Sequence, residues 1–231
     1  MGNAASKEFK ATALSEGDLR QDASRSISPS LVFPETMEAK SKGKKWIAVG
    51  SDVVLWSTKE VGVIKSHSLI RDAKDGHVAT VITEKMGMSS VTNLVCRSAP
   101  TFDGQEPVTV EELKRAGIVE DAVLYAFSKI ETVRKMTTGT STYGVVAGKA
   151  DGSVRELVFE ELYTAEKLST LGFLALFREG NATVAKAHIQ GLSMSPVVEA
   201  AAGVDLLAIV LMGYALAGDS SAGALAGAGV I

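Results

Sequence analysis

The stretch SPVVEAAAGVDLLAIVLMGYALAGDSS, residues 195–221, is the most apolar part of the chain and decides its fold. Its uninterrupted apolar run covers residues 206–217, which is shorter than the roughly 20 residues that a membrane-spanning helix needs. Glu199 and Asp205 precede this run, and an acid near the centre of a span costs roughly 2.5–3.5 kcal/mol on insertion scales. No basic cluster flanks the segment. The sequence therefore favours a helix buried inside the protein over a helix that crosses a bilayer.

The bounds of this helix can be predicted from its end signals. Pro196 suits the first turn of a helix, because the N–H that it lacks would be unpaired there. Nothing from Val197 to Ala217 forbids a helix, and Gly218 is placed to end it. We therefore predict a helix that begins near Pro196. Because it is apolar on all sides, it must also be surrounded on all sides.

Residues 46–189 carry a mainly β pattern, in which short runs rich in Val, Ile, Thr and aromatic residues alternate with turn residues. Three joints combine Gly with Asp or Asn, which adopt the positive φ of tight hairpins: Asp75-Gly76, Asp151-Gly152 and Gly180-Asn181. About ten such runs precede the apolar segment. A sheet that closes on itself can surround a helix, and closure also removes exposed strand edges. The sequence thus predicts a β-barrel threaded by its own C-terminal helix.

This order of elements resembles a known family. The segment AAGVDLLAIVLMGYALAGD resembles the terminal helix of the plant LURP-one-related proteins, and LIRDAKDGHVATVITEK and FLALFREGNATVAKAHIQ are similar to that family's paired hairpins. The resemblance covers residues 44–218. It implies the tubby C-terminal-like fold that the family shares with Tubby and the phospholipid scramblases. That fold is a closed antiparallel barrel of about twelve strands around a buried hydrophobic helix.

Composition divides the chain into three parts. Residues 1–40 include SEGDLRQDASRSISPS, which is polar and mixed in charge, and they are predicted to form a disordered N-terminal arm. The tubby-like barrel domain is assigned to residues 44–218. Residues 219–231 are rich in Gly and Ala and are predicted to form a flexible tail.

The first six residues, MGNAAS, match the acceptor pattern M-G-x-x-x-[ST] for N-myristoylation at Gly2. The transferase acylates the α-amine that removal of Met1 exposes, so glycine is required at this position. One myristoyl chain binds a bilayer with a constant of only about 10⁴ M⁻¹, so a second membrane signal is expected. The single cysteine, Cys96, lies in an apparent strand far from Gly2, which excludes palmitoylation beside it.

Basic residues are the candidates for that second signal. A basic residue near an anionic surface contributes about 1 kcal/mol to binding. Glu35 and Glu38 lie just upstream of the lysine cluster at 40–45 and oppose this effect, and a solvated linker is the alternative interpretation of the cluster. The candidate lipid contacts are Lys7, Lys10, Lys42, Lys44 and Lys45, with Arg134 and Lys135 as a barrel-edge pair.

Other functional classes lack support in the sequence. A formal charge of -3 and a pI near 5.7 argue against nucleic-acid binding. His67, His77 and His188 have no Cys or His at ligand spacing, so no metal site is predicted. No Walker loop, dinucleotide fingerprint or G-x-S-x-G motif occurs. We therefore expect no catalytic residues and no cofactor, and the lone cysteine fits a cytoplasmic location.

These observations lead to three hypotheses. The first is a non-enzymatic peripheral membrane protein with an N-myristoyl anchor, whose tubby-like domain binds an anionic lipid such as a phosphoinositide, or a protein partner. The resemblance implies a role in signalling or defence. The alternative is a phospholipid scramblase-like lipid transporter whose C-terminal helix inserts into the membrane. A barrel that encloses a small apolar ligand is less favoured, because the helix would fill the lumen.

Overall fold

The chain forms a closed antiparallel β-barrel. The computed structural model describes residues 2–21, 25–61, 67–86, 89–97, 125–134, 138–151, 154–169, 173–190 and 195–217. Each strand pairs with its neighbours in sequence, and β1 pairs with β12, so the described strands leave no edge among them. The predicted closed barrel of about twelve strands around a C-terminal helix is confirmed.

The strands alternate in direction around the barrel. Their bounds are β1 (Met37–Lys42), β2 (Lys45–Ala48), β3 (Val54–Val61), β4 (His67–Asp72), β5 (His77–Met86), β6 (Ser90–Arg97), β7 (Tyr125–Arg134), β8 (Gly139–Asp151), β9 (Val154–Lys167), β10 (Leu174–Glu179), β11 (Ala182–Gln190) and β12 (Ser195–Ala200). The described α-helices are α1 (Gly2–Ala11) and α2 (Leu206–Ala217).

Helix α2 runs through the barrel lumen and has apolar side chains on every face. Leu207, Val210 and Leu211 are 0%, 1% and 4% exposed. Burial of each side chain of this size contributes about 1.5–3 kcal/mol relative to exposure. In the described part of the chain, no helix combines the length and apolar character needed to cross a bilayer. The barrel wall thus supplies the apolar surroundings that this segment requires.

Aromatic side chains fill the space between α2 and the wall. Trp46 of β2 stacks on Trp56 of β3, with ring centroids 5.5 Å apart, and Tyr214 of α2 meets Trp46 edge to face at 6.0 Å. Farther round the wall, Tyr143 of β8 stacks on Tyr163 of β9 at 5.8 Å. Such pairs stabilise a core beyond the area they bury, and here they fix the helix laterally.

The prediction that the helix begins near Pro196 is wrong. Residues 195–200 form β12, in which Pro196 pairs with Ile189 of β11 and Lys40 of β1 pairs with Val197. The sheet closes only if a strand lies between β11 and β1, and the ladder on both sides satisfies the backbone of this segment. The barrel therefore extends beyond the 46–189 range of the β pattern at both ends.

Asp205 sets the true start of α2. Its carboxylate is fully buried and accepts a hydrogen bond from the Ala208 amide at 3.1 Å, as an N-cap does. The other carboxylate oxygen accepts from the Ile27 amide at 2.6 Å, and the Asp205 amide donates to the Tyr163 hydroxyl at 3.2 Å. Burial, together with the Asp205 charge, raises the pKa of Tyr163, so its hydroxyl stays protonated. One carboxylate thus links the helix, the wall and the N-terminal segment.

The described part of residues 12–36 covers the barrel end at which α2 begins. Leu19, Ile27 and Leu31 are buried there, and the Gly17 amide donates to the carbonyl of Ala202 at 2.8 Å. A Cβ on Gly17 would lie 2.6 Å from the carbonyl oxygen of Gly203, so the backbones touch at a position where only glycine fits.

The N-terminal region therefore differs from the disordered arm predicted for residues 1–40. It forms α1, covers one barrel end and supplies β1 from Met37, earlier than the predicted domain start at residue 44. A few apolar side chains spaced along a polar sequence are enough to anchor it. The predicted tail at residues 219–231 lies outside the described residues.

Two of the three predicted hairpin joints have the expected geometry. Asp75, between β4 and β5, has a φ of 66°, and Gly180, between β10 and β11, has a φ of 56°. Asp151 ends β8 and Val154 begins β9, but Gly152 lies outside the described residues.

Removing the buried cap should destabilise the whole fold. We expect Asp205→Ala to lower the free energy of unfolding by about 2–3 kcal/mol, because it leaves the amides of Ile27 and Ala208 unsatisfied. Urea denaturation measures this change. Asp52→Ala is the matched control, since the side chain of Asp52 is 93% exposed and its removal should cost less than about 0.5 kcal/mol. Equal losses in the two variants would contradict the role given to Asp205.

Candidate functional site

The two ends of the barrel differ in what lies over them, since the described part of residues 12–36 covers only the end at which α2 begins. Because the strands alternate in direction, the turns that follow odd-numbered strands share one end, where α2 also terminates. We call this the basic end and define it by Lys42, Lys44, Lys45 and Arg134. The opposite end, covered by residues 12–36, is called the capped end.

Three of the predicted lipid contacts lie on one hairpin at the basic end. Lys42 ends β1, Lys45 begins β2 and pairs with it, and Lys44 lies in the turn, where Gly43 has a φ of 62°. All three lysines are exposed. Lys42 lies 3.7 Å from the carboxylate of Asp52, but an ion pair this exposed contributes little. These lysines therefore belong to the barrel and not to a linker.

Arg134 has a structural contact that the sequence did not predict. Its side chain is half-buried, and its Nε donates to the carbonyl of Ala215 at 2.9 Å. That carbonyl belongs to the last turn of α2, where the helix dipole favours a cation. Arg134 thus caps the C-terminus of the central helix from the wall. Lys135, its predicted partner, lies outside the described residues.

Helix α1 lies against β10 and against the face of β11 that carries Lys186 and His188. The ring of Phe9 meets the imidazole of His188 edge to face, with centroids 5.7 Å apart. The Lys186 ammonium lies 5.7 Å from the same ring centroid and donates to the carbonyl of Thr12 at 3.2 Å. Phe9, Lys186 and His188 are the docking contacts of α1. They leave Lys7 and Lys10 exposed on the helix.

The contacts fix the direction in which α1 runs. Along β11, Ser15 bonds to Thr183, Thr12 contacts Lys186 and Phe9 contacts His188. The helix is therefore antiparallel to β11, and its N-terminus faces the basic end. At 1.5 Å per residue, the backbone of Gly2 lies about 10 Å beyond Phe9. The acylation motif and the lysine hairpin thus lie toward the same end, although no local sequence pattern relates them.

An apolar cleft opens at the basic end between α2 and the β11–β12 wall. Its cavity volume is about 50 Å³, and it is open to solvent on one side. Buried parts of its lining include Trp46, Phe173 and Val210, whereas Ile189 and Ala217 are more accessible. The helix therefore occupies the lumen, as the sequence predicted, and an apolar opening lies beside its last turns.

Burial beneath α1 changes the pKa of His188. It is the main cause of a lowered pKa for His188; the Lys186 ammonium lowers that pKa further, whereas the carboxylates of Glu38 and Glu199 raise it. Glu199 lies 3.3 Å from the Lys186 ammonium and neutralises part of its charge. The neutral imidazole is consistent with an aromatic contact to Phe9.

The described histidine and cysteine side chains away from α1 have ordinary surroundings. Over the described ranges, no three His, Cys, Asp or Glu residues are grouped so that they could hold a metal ion. His77 contacts the Thr80 hydroxyl at 2.9 Å within β5, and Cys96 is buried in β6. The His77 contact and the burial of Cys96 are both typical of residues with a structural role.

Comparisons with known proteins give little beyond this geometry. No protein-family model matches the sequence, and no curated protein matches it either. Among solved structures, an X-ray structure of a protein from Arabidopsis thaliana is similar, with 13% identity and a TM-score of 0.40, over 80% of this chain and 92% of that one. That protein is LURP-one-related. A TM-score of this size carries no argument, so kinship with the LURP-one-related proteins stays a resemblance.

Acidification should loosen the docking of α1. Burial lowers the pKa of His188 in the folded protein below its ordinary value of 6.5. The neutral imidazole therefore contributes its full stability to the folded state above pH 6.5, and this contribution is lost as the pH falls through the folded-state pKa. The new imidazolium would face Lys186 beneath Phe9. We expect amide hydrogen exchange in α1, corrected for intrinsic rates, to accelerate between about pH 7 and about pH 5. His188→Gln should abolish this acceleration; the same pH dependence in that variant would contradict the assignment.

Proposed function

We propose that the protein is a non-enzymatic peripheral membrane protein, tethered by a myristoyl group on Gly2, whose basic end faces an anionic bilayer at the cytosolic side. A single observation carries the proposal. The docking of α1 directs Gly2 toward the barrel end at which Lys42, Lys44 and Lys45 are exposed. An acyl chain and a cationic surface on one end of the molecule can bind one membrane together.

The energies make both signals necessary. A single myristoyl chain gives a binding constant of about 10⁴ M⁻¹, which is too weak for a stable attachment. Each lysine near an anionic surface adds about 1 kcal/mol, a factor of about five in binding. The three lysines of the hairpin, with Lys7 and Lys10 on α1, therefore supply a second signal of useful size. The net charge of -3 does not oppose this, because Lys42, Lys44 and Lys45 lie together on one hairpin and make its local charge positive.

The ligand class that suits these contacts is an anionic lipid headgroup, with a phosphoinositide as one example. Exposed ammonium groups on a short hairpin bind phosphate mainly as point charges. Arg134 adds positive charge to the basic end, but its Nε is bonded to the end of α2. The scramblase-like alternative requires α2 to insert into the bilayer, and α2 is buried in the lumen, so we do not propose that activity.

Vesicle flotation tests the proposal. Protein co-expressed with an N-myristoyltransferase, with acylation verified by mass spectrometry, should float with vesicles that contain phosphatidylserine, and Gly2→Ala protein should not. Lys44→Ala should lower the vesicle affinity of the acylated protein about fivefold at low salt, and less as salt screens the charge. Lys74→Ala is the matched control, because Lys74 is exposed in the β4–β5 turn at the capped end.

Three outcomes would contradict all or part of the proposal. Equal flotation of acylated and Gly2→Ala protein would remove the anchor. Equal effects of Lys44→Ala and Lys74→Ala would mean that neither barrel end is preferred by the membrane. A protein that binds neutral and anionic vesicles alike would exclude the lysine contribution while leaving the anchor.

A further inference from the structure

The apolar cleft at the basic end has a lining suited to an alkyl chain. Val210 and Gly213 of α2 form its floor, Ala187 and Val198 form the facing wall, and Trp46 and Phe173 are aromatic neighbours. Among the described residues that line it, none is charged. Gly213 lines the cleft with backbone alone, and a Cβ at this position would lie 3.6 Å from the ring of Phe177. An extended hydrocarbon chain gains by leaving water for such surroundings.

The mouth of the cleft lies at the rim that α1 approaches. On β11, the inner side chains of Ala187 and Ile189 line the cleft, whereas Lys186 and His188 contact α1 on the outer face. Gly2 lies about 10 Å beyond Phe9 along the helix axis. That distance equals about three strand residues past His188, and β11 ends at Gln190. Helix α1 is therefore long enough for the backbone of Gly2 to reach the level of the rim.

We propose that the cleft binds the myristoyl chain of Gly2 while the protein is away from a membrane. This inference rests on the proposed function, because it requires acylation of Gly2. The chain passes over the rim of β11 beside Ile189 and lies along α2. The docking contacts of Phe9 with Lys186 and His188 hold Gly2 close enough for this insertion. The acyl group then has two alternative sites, the cleft and the bilayer.

The consequence is a regulated anchor. A protein whose acyl chain occupies the cleft binds vesicles only in the fraction of time that the chain is free, so its apparent affinity falls by that fraction. An anionic surface that attracts the lysines of the basic end shifts the equilibrium toward release. The same protein would thus be retained on anionic membranes and stay off neutral ones.

Binding of free myristate tests the cleft itself. We expect unmodified Gly2→Ala protein to bind ¹³C-labelled myristate at one site, with NMR contacts between the acyl chain and the ring of Trp46. Ala217→Trp, at the accessible end of α2, should block the mouth and weaken binding at least about tenfold. Val133→Trp is the matched control, because Val133 is 48% exposed on β7. Fully acylated wild-type protein should bind free myristate at least about tenfold more weakly, since its own chain occupies the site in most molecules.

Flotation of the acylated variants tests whether the myristoyl chain of Gly2 occupies the cleft of its own molecule. If the cleft holds the chain in about nine-tenths of the molecules, Ala217→Trp should raise the affinity for neutral vesicles about tenfold. Phe9→Ala should raise it as well, while leaving the binding of free myristate by unmodified protein unchanged. Val133→Trp shows how much affinity an exposed tryptophan adds by itself.

The outcomes separate this inference from the proposed function. If the transferase does not acylate Gly2, the proposed function is overturned, and so is the inference that a myristoyl chain of the same molecule occupies the cleft. A protein that is acylated and floats, but binds no free myristate when unmodified, overturns the cleft alone. Equal myristate binding by Ala217→Trp and Val133→Trp proteins also overturns the cleft, because the acid would then bind elsewhere.

Discussion

The buried, wholly apolar helix α2 imposes the main constraint on this protein. Such a helix needs apolar contacts on every face, and twelve strands provide them by closing into a sleeve. At each end, one charged side chain of sign opposite to the helix dipole bonds to the backbone of the terminal turn. Asp205 caps the N-terminus, and Arg134 of β7 bonds to the last turn. Both complement the helix dipole, so the plug is fixed along its axis as well as laterally.

This arrangement makes the two barrel ends unequal. At the capped end, Asp205 also bonds to Ile27 and thereby holds the N-terminal segment over the start of α2. Helix α1 precedes this segment in the sequence and lies along β11. The N-terminus of α1 therefore points toward the basic end. The lysine hairpin, the acylation motif and the apolar cleft lie toward the same barrel end, because one buried carboxylate and the docking contacts of Phe9 orient the described part of the N-terminal region.

The local sequence pattern was enough to predict the barrel and its central helix. The apolar run of residues 206–217 is too short to span a bilayer and is preceded by two acids, and it is too apolar to be exposed to water. It was not enough for β12, because Pro196 and its neighbours become a strand only through pairing with β11 and β1. Arg134 and Ala215 are 81 positions apart, and Lys186 and Thr12 are 174 apart. The candidate lysines and Gly2 were identifiable from residue type, but their shared barrel end follows from topology.

Thiol labelling at a buried position in the first turn of α2 tests the central claim most directly. In a Cys96→Ala background, Ala208→Cys places a thiol at a position that is 0% exposed, and Val53→Cys places one at a position that is 60% exposed. The account predicts that the buried thiol reacts more than about a thousandfold more slowly than the exposed one, with or without vesicles, because reaction requires global unfolding. Comparable rates at the two positions would contradict a helix enclosed by the barrel.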